Sequence, residues 1–314
     1  MSAVDIRPMR AGDLDEADRV FRVAFGTFLG LPDPTQFAGD SDYVRSRFAS
    51  WPEAAFVAER DGEVVGSILS VKRGSVAFFG PLTIRPDLWE GGIAKRLVAA
   101  TVEVYDRWRL RHSGLFTFAD SAKHVALYQK FGFWTVSLMA MVARAVEPPP
   151  AGASSASLGD LHGDERAQAI ASCRAATEAI YPGLDASDEI GAMARLGLGD
   201  VALVRAGGEV QGLAICHSGA GSEAGSGTSL VKFGVVRPGP SAAANFDRLL
   251  DACAALAARY GAGTLLVGVD LGCRAAYGRL LERGFRTQMQ GVAMHRPDGP
   301  GYFARDAYVL DDWR

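Results

Sequence analysis

An internal repeat constrains the fold of this chain more than any other feature. Segments of the first half recur in the second half, offset by 146 positions at one hairpin and by 152 positions at two later sites. The matched segments are 61–66 with 207–212, Arg85-Pro86 with Arg237-Pro238, and Gly132-Phe133 with Gly284-Phe285. A nearly fixed period indicates copies of one structural unit. The sequence therefore predicts two tandem units with a common fold.

The length and composition agree with two such units. A chain of 314 residues is long enough for about two domains, and a hydrophobic content of 48% suffices for buried cores. A proline run at 148–150 opens a stretch of small residues that is typical of a linker. We predict an N-terminal domain over 1–147, a linker over 148–157 and a second domain over 158–314.

The charge and the cysteine pattern argue against several classes of function. A formal net charge of −3 predicts no nucleic-acid partner, and the absence of long apolar runs predicts no membrane span. Four cysteines are scattered without metal or disulfide spacing, so we expect a cytoplasmic protein with reduced thiols and no metal. The sequence is compatible with a homodimer.

Each unit has the pattern of a sheet flanked by helices. Asp61-Gly62 between two apolar runs indicates a hairpin. The segments that we predict after it are a strand at 76–84, a helix to about residue 109, a strand at 115–119 and a short helix at 124–130, with 264–270 as the matching strand of the second unit. The predicted fold class is α/β (α+β), with a mixed, mostly antiparallel twisted sheet in each unit.

A glycine turn between a strand and a helix is the first candidate for a ligand site. The strand that ends at Pro86 is followed by Gly91 and Gly92, and an amphipathic helix begins there. The first turn of a helix has unpaired N–H groups and the positive end of the helix dipole, so it suits a phosphate. The other interpretation is an ordinary tight connection. The spacing matches neither a nucleotide P-loop nor a dinucleotide-binding turn.

The segment 26–40 is rich in Gly, Pro and aromatic residues. Its large apolar side chains would be unusual on a plain surface. They are Phe28, Leu29, Leu31 and Phe37. They either line a substrate pocket or cap the core, and the sequence slightly favours the cap.

Two motifs give the first unit a resemblance to a known family. The segment 89–94 reads Trp-Glu-Gly-Gly-Ile-Ala, and 127–133 reads Leu-Tyr-Gln-Lys-Phe-Gly-Phe. Together they resemble the GCN5-related N-acetyltransferase (GNAT) family over about residues 5–145, and more faintly over 158–297. The family's acyl-CoA turn has the form Gln/Arg-x-x-Gly-x-Gly/Ala. Gly92 and Ala94 match it, whereas Trp89 departs from it.

The resemblance implies acetyl-CoA as the cosubstrate. Its pyrophosphate would lie against backbone N–H groups at the start of the helix, and its pantetheine arm would pair with the preceding strand. Small residues at the turn would let the backbone approach the phosphates. The cofactor-binding residues implied are Leu82, Thr83, Ile84, Glu90, Gly91, Gly92, Ile93, Ala94, Lys95 and Arg96.

The resemblance also implies direct aminolysis of a thioester. Tyr128 stands at the family position that protonates the leaving thiolate; the alternative is a core tyrosine packed under the short helix. Family members often use a Glu on the strand before the turn as the base, but 76–84 contains no carboxylate. Asp120 is the substitute that we predict, and its alternative role is to cap the short helix.

The second unit lacks these features. The turn after Arg237-Pro238 contains Pro240, which has no N–H to donate, and Leu280 stands 152 positions after Tyr128. We therefore predict one acyl-CoA site per chain. The segment 311–314, Asp-Asp-Trp-Arg, either packs on one domain or borders the active cleft.

The function predicted from the sequence is acyl-CoA-dependent N-acyl transfer. The acyl donor would be acetyl-CoA, and the acceptor an amine of a small molecule or peptide. Two alternatives stay open at this point: an acyl-CoA sensor without turnover, and a structural scaffold that binds a partner.

Overall fold

The computed structural model describes residues 3–147 and 156–314. In the first half it forms β1 (Asp5–Pro8), α1 (Leu14–Phe28), α2 (Val44–Ser50), β2 (Phe56–Arg60), β3 (Glu63–Arg73), β4 (Val76–Ile84), α3 (Ile93–Trp108), β5 (His112–Thr117), α4 (Ala122–Gln129) and β6 (Trp134–Ala145). In the second half it forms α5 (Gly163–Glu178), α6 (Ser187–Leu196), β7 (Gly199–Ala206), β8 (Glu209–Gly219), β9 (Gly225–Val236), α7 (Ala242–Arg259), β10 (Thr264–Asp270), α8 (Arg274–Glu282), β11 (Arg286–Arg296) and β12 (Val309–Asp311).

Apart from β1 and β12, the elements follow one another in the same order in both halves. Two helices precede three strands, and a long helix, a strand, a short helix and a strand complete each series. The strands predicted at 76–84 and 264–270 have those bounds in the structure. The predicted linker lies outside the described residues except for Ala156 and Ser157, and the predicted domain boundaries stay a prediction.

The described strands belong to one sheet. Its order is β1-β2-β3-β4-β5-β11-β6-β10-β9-β8-β7, and β12 adds to β9. Among the described strands, only β4–β5 and β9–β10 are parallel neighbours, and the other pairs are antiparallel. The predicted class, a mixed and mostly antiparallel sheet flanked by helices, is confirmed. The sequence did not reveal that the two units share a single sheet.

The two units exchange their last long strands. β11 of the second half lies between β5 and β6, with Val292 opposite Thr117 on one side and Leu138 on the other. β6 of the first half lies between β11 and β10, where Val142 faces Val267. Each unit therefore completes the sheet of the other. The strands of one half alone would not lie side by side without a strand from the other half.

Helices cover both faces of the first unit. α3 places Leu97 and Val98 against Val65 and Phe79 of the sheet, as its amphipathic pattern requires. α1 packs Phe21 on the opposite face. Among the described residues, no helix is long and apolar enough to cross a membrane.

The end of the chain lies inside the protein. β12 pairs with β9, and Trp313 beyond it is fully buried. A Cβ atom on Gly114 of β5 would lie 1.5 Å from the Trp313 ring, so only glycine fits there. The Trp313 carbonyl accepts a hydrogen bond from the Phe116 amide of β5 at 3.0 Å. The segment 311–314 therefore packs on strands of both units. It also reaches β4, since a Cβ on Gly80 would lie 3.1 Å from the Arg314 carbonyl carbon, and its role at an active cleft stays a prediction.

Candidate functional site

The divergence of β4 from β5 creates the candidate cleft. The two strands pair only where Val76–Phe78 meets His112–Gly114. A bulge follows on β4, because Ser70 of β3 faces Phe79 while Ile68 faces Leu82. Beyond the bulge, the edge of β4 that faces β5 no longer pairs with it. Backbone groups on such an edge are available to an extended ligand.

The three strand residues predicted to hold a cofactor lie on this stretch. Leu82, Thr83 and Ile84 form the end of β4, after its last pair with β5. The Thr83 hydroxyl is within hydrogen-bond distance of the Ser67 hydroxyl, 3.0 Å between the oxygens. Since that side chain is occupied within the protein, its contribution to a ligand would come from the backbone.

The glycine turn follows β4 directly. A short 3₁₀ segment, Pro86–Leu88, leads to Glu90 and Gly92, whose φ angles are +69° and +76°. α3 begins at Ile93 without a side-chain cap, so its first N–H groups have no partner from a cap residue. A Cβ on Gly92 would have no atom within 4 Å, because the residue faces open space. The turn thus presents bare backbone at the end of the β4 edge.

Trp89, the departure from the family pattern, holds the turn in place. Its indole Nε1–H donates to the Ile84 carbonyl at 2.8 Å, which ties the turn to the end of β4. The Lys123 ammonium lies 5.3 Å from the Trp89 ring centre, a cation–π distance. This contact brings a cation of α4 beside the turn.

The other turn residues differ in how accessible they are to a ligand. Glu90, Gly91 and Lys95 are exposed, Ala94 is half-buried, and the Ile93 side chain is buried in the core. Arg96 donates from Nη1 to the Val4 carbonyl at 2.6 Å, so its guanidinium is partly engaged. Lys95 is therefore the freer of the two predicted cations.

Tyr128 lies on α4 beside the cleft. Its side chain is buried, and its ring centre is 5.7 Å from that of Phe79, the β4 residue just before the bulge. Burial raises the pKa of Tyr128 above its ordinary value, so the hydroxyl keeps its proton. Within residues 3–147 and 156–314, no hydrogen-bond partner of that hydroxyl is found, so it can donate to a ligand.

Asp120 is more exposed to solvent than we expect of a general base in an active site. It is exposed in the turn between β5 and α4. The N-cap residue before α4 is Ser121, and no side-chain cap bond is formed there. The alternative role of Asp120 as a helix cap is thus not observed, and its catalytic role stays a prediction.

His124 is a residue of the site that the sequence reasoning missed. Its Nδ1 lies 2.8 Å from the Ser121 hydroxyl. Its ring centre is 5.7 Å from that of Phe28 at the end of α1. The available signal was its spacing of four residues before Tyr128, which puts both side chains on one face of a helix.

The aromatic segment 26–40 divides between the two roles considered. Phe37 stacks on Phe25 with ring centres 5.3 Å apart and caps the core of α1. Phe28 instead reaches Phe118, 5.1 Å away, on the chain just after β5. Leu29 and Leu31 are exposed. The segment therefore contributes one residue to the cleft and one to the core.

The matching cleft of the second unit is filled by the chain itself. β12 pairs Val309 with Val235 and Leu310 with Gly234. These two β9 residues stand 152 positions after Thr83 and Leu82. On the other side, a Cβ on Gly268 of β10 would lie 2.3 Å from the Asp312 Cβ. β12 thus occupies the gap between β9 and β10.

The described residues contain no group of three or more His, Cys, Asp or Glu side chains arranged to hold a metal ion. The four cysteines are free and buried. Among the described residues, the groups at or near the cleft are backbone donors, the Tyr128 phenol, the His124 imidazole and the exposed carboxylate of Asp120.

The segment that builds this cleft is similar to known proteins. Residues 25–133 match the model of the acetyltransferase (GNAT) family. A mycothiol acetyltransferase of Streptomyces coelicolor is 35% identical over 89 residues, which are 27% of this chain and 28% of that protein. The match thus spans less than a third of the length of this relative.

Two solved structures share the fold over nearly the whole chain. A protein of Pyrococcus horikoshii assigned as an acetyltransferase has a TM-score of 0.68 at 16% identity, covering 99% of this chain and 95% of its own. A GCN5-related N-acetyltransferase from Sphaerobacter thermophilus has a TM-score of 0.59 at 17% identity, covering 95% and 96%. At such identities the likeness shows the fold of both halves.

Proposed function

We propose that this protein is an N-acyltransferase that uses acetyl-CoA, because residues 25–133 match the model of the acetyltransferase (GNAT) family. The acetyl group passes to an amine of a small molecule or peptide by direct attack. The first unit carries the reaction, and the second completes its sheet.

One observation carries this proposal: the β4 edge that does not pair with β5 leads, through a short 3₁₀ segment and the glycine turn, to the uncapped start of α3. An extended arm that ends in phosphates fits such a path. The arm would pair with the backbone of Leu82–Ile84, and the pyrophosphate would accept hydrogen bonds from N–H groups of residues 90–96. The open space in front of Gly92 supports close approach of a phosphate.

The chemistry requires two proton movements. The amine nitrogen attacks the thioester carbonyl and forms a C–N bond while the amine loses a proton. The C–S bond then breaks, and the leaving thiolate needs a hydrogen-bond or proton donor. Tyr128 is proposed as that donor and Asp120 as the carboxylate that favours loss of the amine proton.

We further propose that each chain binds one acyl-CoA. The pairing of β12 with Val235 and Gly234 supports this, because the equivalent residues of the first unit are Thr83 and Leu82. A second acyl-CoA would have to displace β12 and Asp312, which are buried.

The acceptor is proposed only as a class. The mycothiol acetyltransferase relative suggests a small-molecule amine, although the match covers 28% of that protein. The mild net negative charge of −3 suits a cationic acceptor. Free buried thiols at all four cysteines support a reducing compartment such as the cytoplasm.

Release of free CoA thiol from acetyl-CoA tests the proposal. The intact chain is mixed with acetyl-CoA and each member of a panel of amino acids, polyamines, aminoglycosides and peptides. Thiol release that depends on one class of amine supports the enzyme. Acetyl-CoA binding without release from any member would favour the sensor, and absence of binding would leave the scaffold.

A further inference from the structure

The direct attack of an amine on the thioester needs a side chain, shielded from solvent, that accepts the amine proton. β4 has no carboxylate, and Asp120 is exposed at the rim of the cleft. We propose that His124 is the general base, which takes the proton from the attacking amine through Nε2 while Ser121 holds the opposite nitrogen. This inference rests on the proposed acyltransferase function.

The position of His124 on α4 supports this role. It lies in the first turn of the helix, four residues before Tyr128. Side chains at this spacing are neighbours on one helix face, with Cβ atoms about 5–6 Å apart. A base and a proton donor one turn apart can serve the two ends of a single transfer, the incoming nitrogen and the leaving sulfur.

One contact of the ring engages Nδ1 and leaves Nε2 available. Nδ1 lies 2.8 Å from the Ser121 hydroxyl. When Nδ1–H donates to this hydroxyl, the lone pair lies on Nε2, as a general base requires. In the described part of the chain Nε2 has no hydrogen-bond partner. Phe28 contacts the ring and also packs on Phe118, so an aromatic side chain of α1 borders the imidazole.

The charges around the ring favour its neutral form. Burial and the nearby Lys123 ammonium lower the pKa of His124, while Asp120 opposes them. The contact from α1 comes through the aromatic ring of Phe28, which in turn packs on Phe118. A neutral imidazole at physiological pH is ready to accept a proton. Asp120 then acts through its charge, since it favours the imidazolium that forms.

The protons balance across the reaction. As the C–N bond forms, the amine proton moves to Nε2 of His124. As the C–S bond breaks, the thiolate receives the proton of Tyr128 or a hydrogen bond from it. Exchange with solvent returns both side chains to their starting forms after the products leave.

The same contact has a structural interpretation, because Ser121 and His124 sit at the first turn of α4, where such pairs close a helix end. That role predicts loss of stability without a change in the pH profile. The two roles are separable by the ratio of kcat/KM between the unaltered chain and His124→Gln. Ionisation of the amine affects both proteins equally and cancels in this ratio.

The experiment measures thiol release with an amine from the panel that supports turnover, between pH 5 and 9. At pH 8 we expect the ratio to be about 10²–10⁴, and to fall toward one as acid protonates His124. His162→Gln, which changes an exposed histidine, should match the unaltered chain. Asp120→Asn should lose less activity than His124→Gln.

Three results would overturn the inference. One is a ratio near one at pH 8. Another is a ratio that stays constant with pH while the melting temperature falls, which would leave only the helix-end role. The third is a larger loss in Asp120→Asn than in His124→Gln. Calorimetric titration with acetyl-CoA separates these outcomes from failure of the proposed function, because the variants should bind it as the unaltered chain does.

Discussion

At the scale of single residues, Tyr128 is the side chain on which the proposed chemistry most depends. Its phenol is held against Phe79 and stays protonated because burial raises its pKa. It is thus a hydrogen-bond donor at any working pH. Phe79 stands next to the bulge of β4, which places the phenol where the thioester would end.

Tyr128→Phe removes this donor and keeps the ring. We expect turnover to fall by about 10²–10⁴ while acetyl-CoA affinity and melting temperature change little. Tyr105→Phe is the matched control, since Tyr105 packs on the same Phe79 but bonds the Ser70 hydroxyl at 3.0 Å. That variant should be less stable by about 1 kcal/mol and fully active. Normal turnover in Tyr128→Phe would make Tyr128 a packing residue.

Sequence patterns predicted these residues unequally. The motif 127–133 identified Tyr128. The absence of a carboxylate in 76–84 showed that the general base must lie on another segment. His124 escaped because a lone histidine on a short helix has no distinguishing pattern. Its significance comes from Ser121 and Phe28, and Phe28 is distant in sequence and meets His124 only in the fold.

At the scale of elements, a pair of buried histidines marks the seam between the units. His112 of β5 and His295 of β11 lie 3.1 Å apart between ring nitrogens, and His295 Nδ1 is also 2.7 Å from the Gly299 carbonyl. Burial lowers the pKa of His112 to about 3 and that of His295 to about 4. Both rings are therefore neutral in the folded protein well below pH 6.5.

This seam predicts a loss of stability in mild acid. The unfolded histidines take up protons below about pH 6.5, whereas the folded ones do so only near pH 3–4. Between these values the unfolded state binds more protons, so the free energy of unfolding falls as the pH falls. Each histidine contributes on the order of 1 kcal/mol per pH unit.

Urea unfolding at pH 7, 6 and 5 measures this effect. His295→Gln keeps a donor for the Gly299 carbonyl and cannot titrate, so its stability should fall less steeply between pH 7 and 5. His162→Gln, at an exposed site, should keep the slope of the unaltered chain. Equal slopes in all three proteins would show that the seam does not set the acid sensitivity.

The sequence predicted the elements better than their partners. The bounds of β4 and β10 follow from apolar runs closed by Pro86 and by polar turns. The exchange of β6 and β11 cannot be predicted from the sequence, since each strand would have the same apolar pattern in the sheet of its own unit as in that of the other. The filling of the second cleft by β12 was likewise hidden, because three residues carry no periodicity.

At the scale of the whole molecule, buried ion pairs join the halves. Arg47 of α2 pairs with Glu223, which also accepts from Lys232. Arg73 of β3 pairs with Glu189 of the second half. All five side chains are almost completely buried. Arg47 also donates to the Gly80 carbonyl at the β4 bulge, so the network reaches the edge of the cleft.

Removal of Glu223 tests the importance of this network. Glu223→Ala leaves two buried cations without their shared partner, and we expect a loss of about 3–5 kcal/mol of unfolding free energy. The control is Glu165→Ala, which breaks a pair with Arg205 that is more than a quarter exposed. That change should cost at most about 1 kcal/mol. Similar small losses in both variants would mean that the buried network contributes little.

The central claim is that one acyl-CoA binds at the turn after β4, and calorimetric titration of the intact chain with acetyl-CoA tests it most directly. Gly92→Val places a side chain in the open space that the phosphate needs, and also strains a residue at φ +76°. Gly62→Val carries the same strain at φ +84°, in a hairpin turn away from the cleft.

We predict one site per chain, binding weakened by about 1–3 kcal/mol in Gly92→Val, and unchanged binding in Gly62→Val. Two equivalent sites would contradict the filled cleft of the second unit. Undiminished binding in Gly92→Val, or no binding to the unaltered chain, would contradict the assignment of the turn.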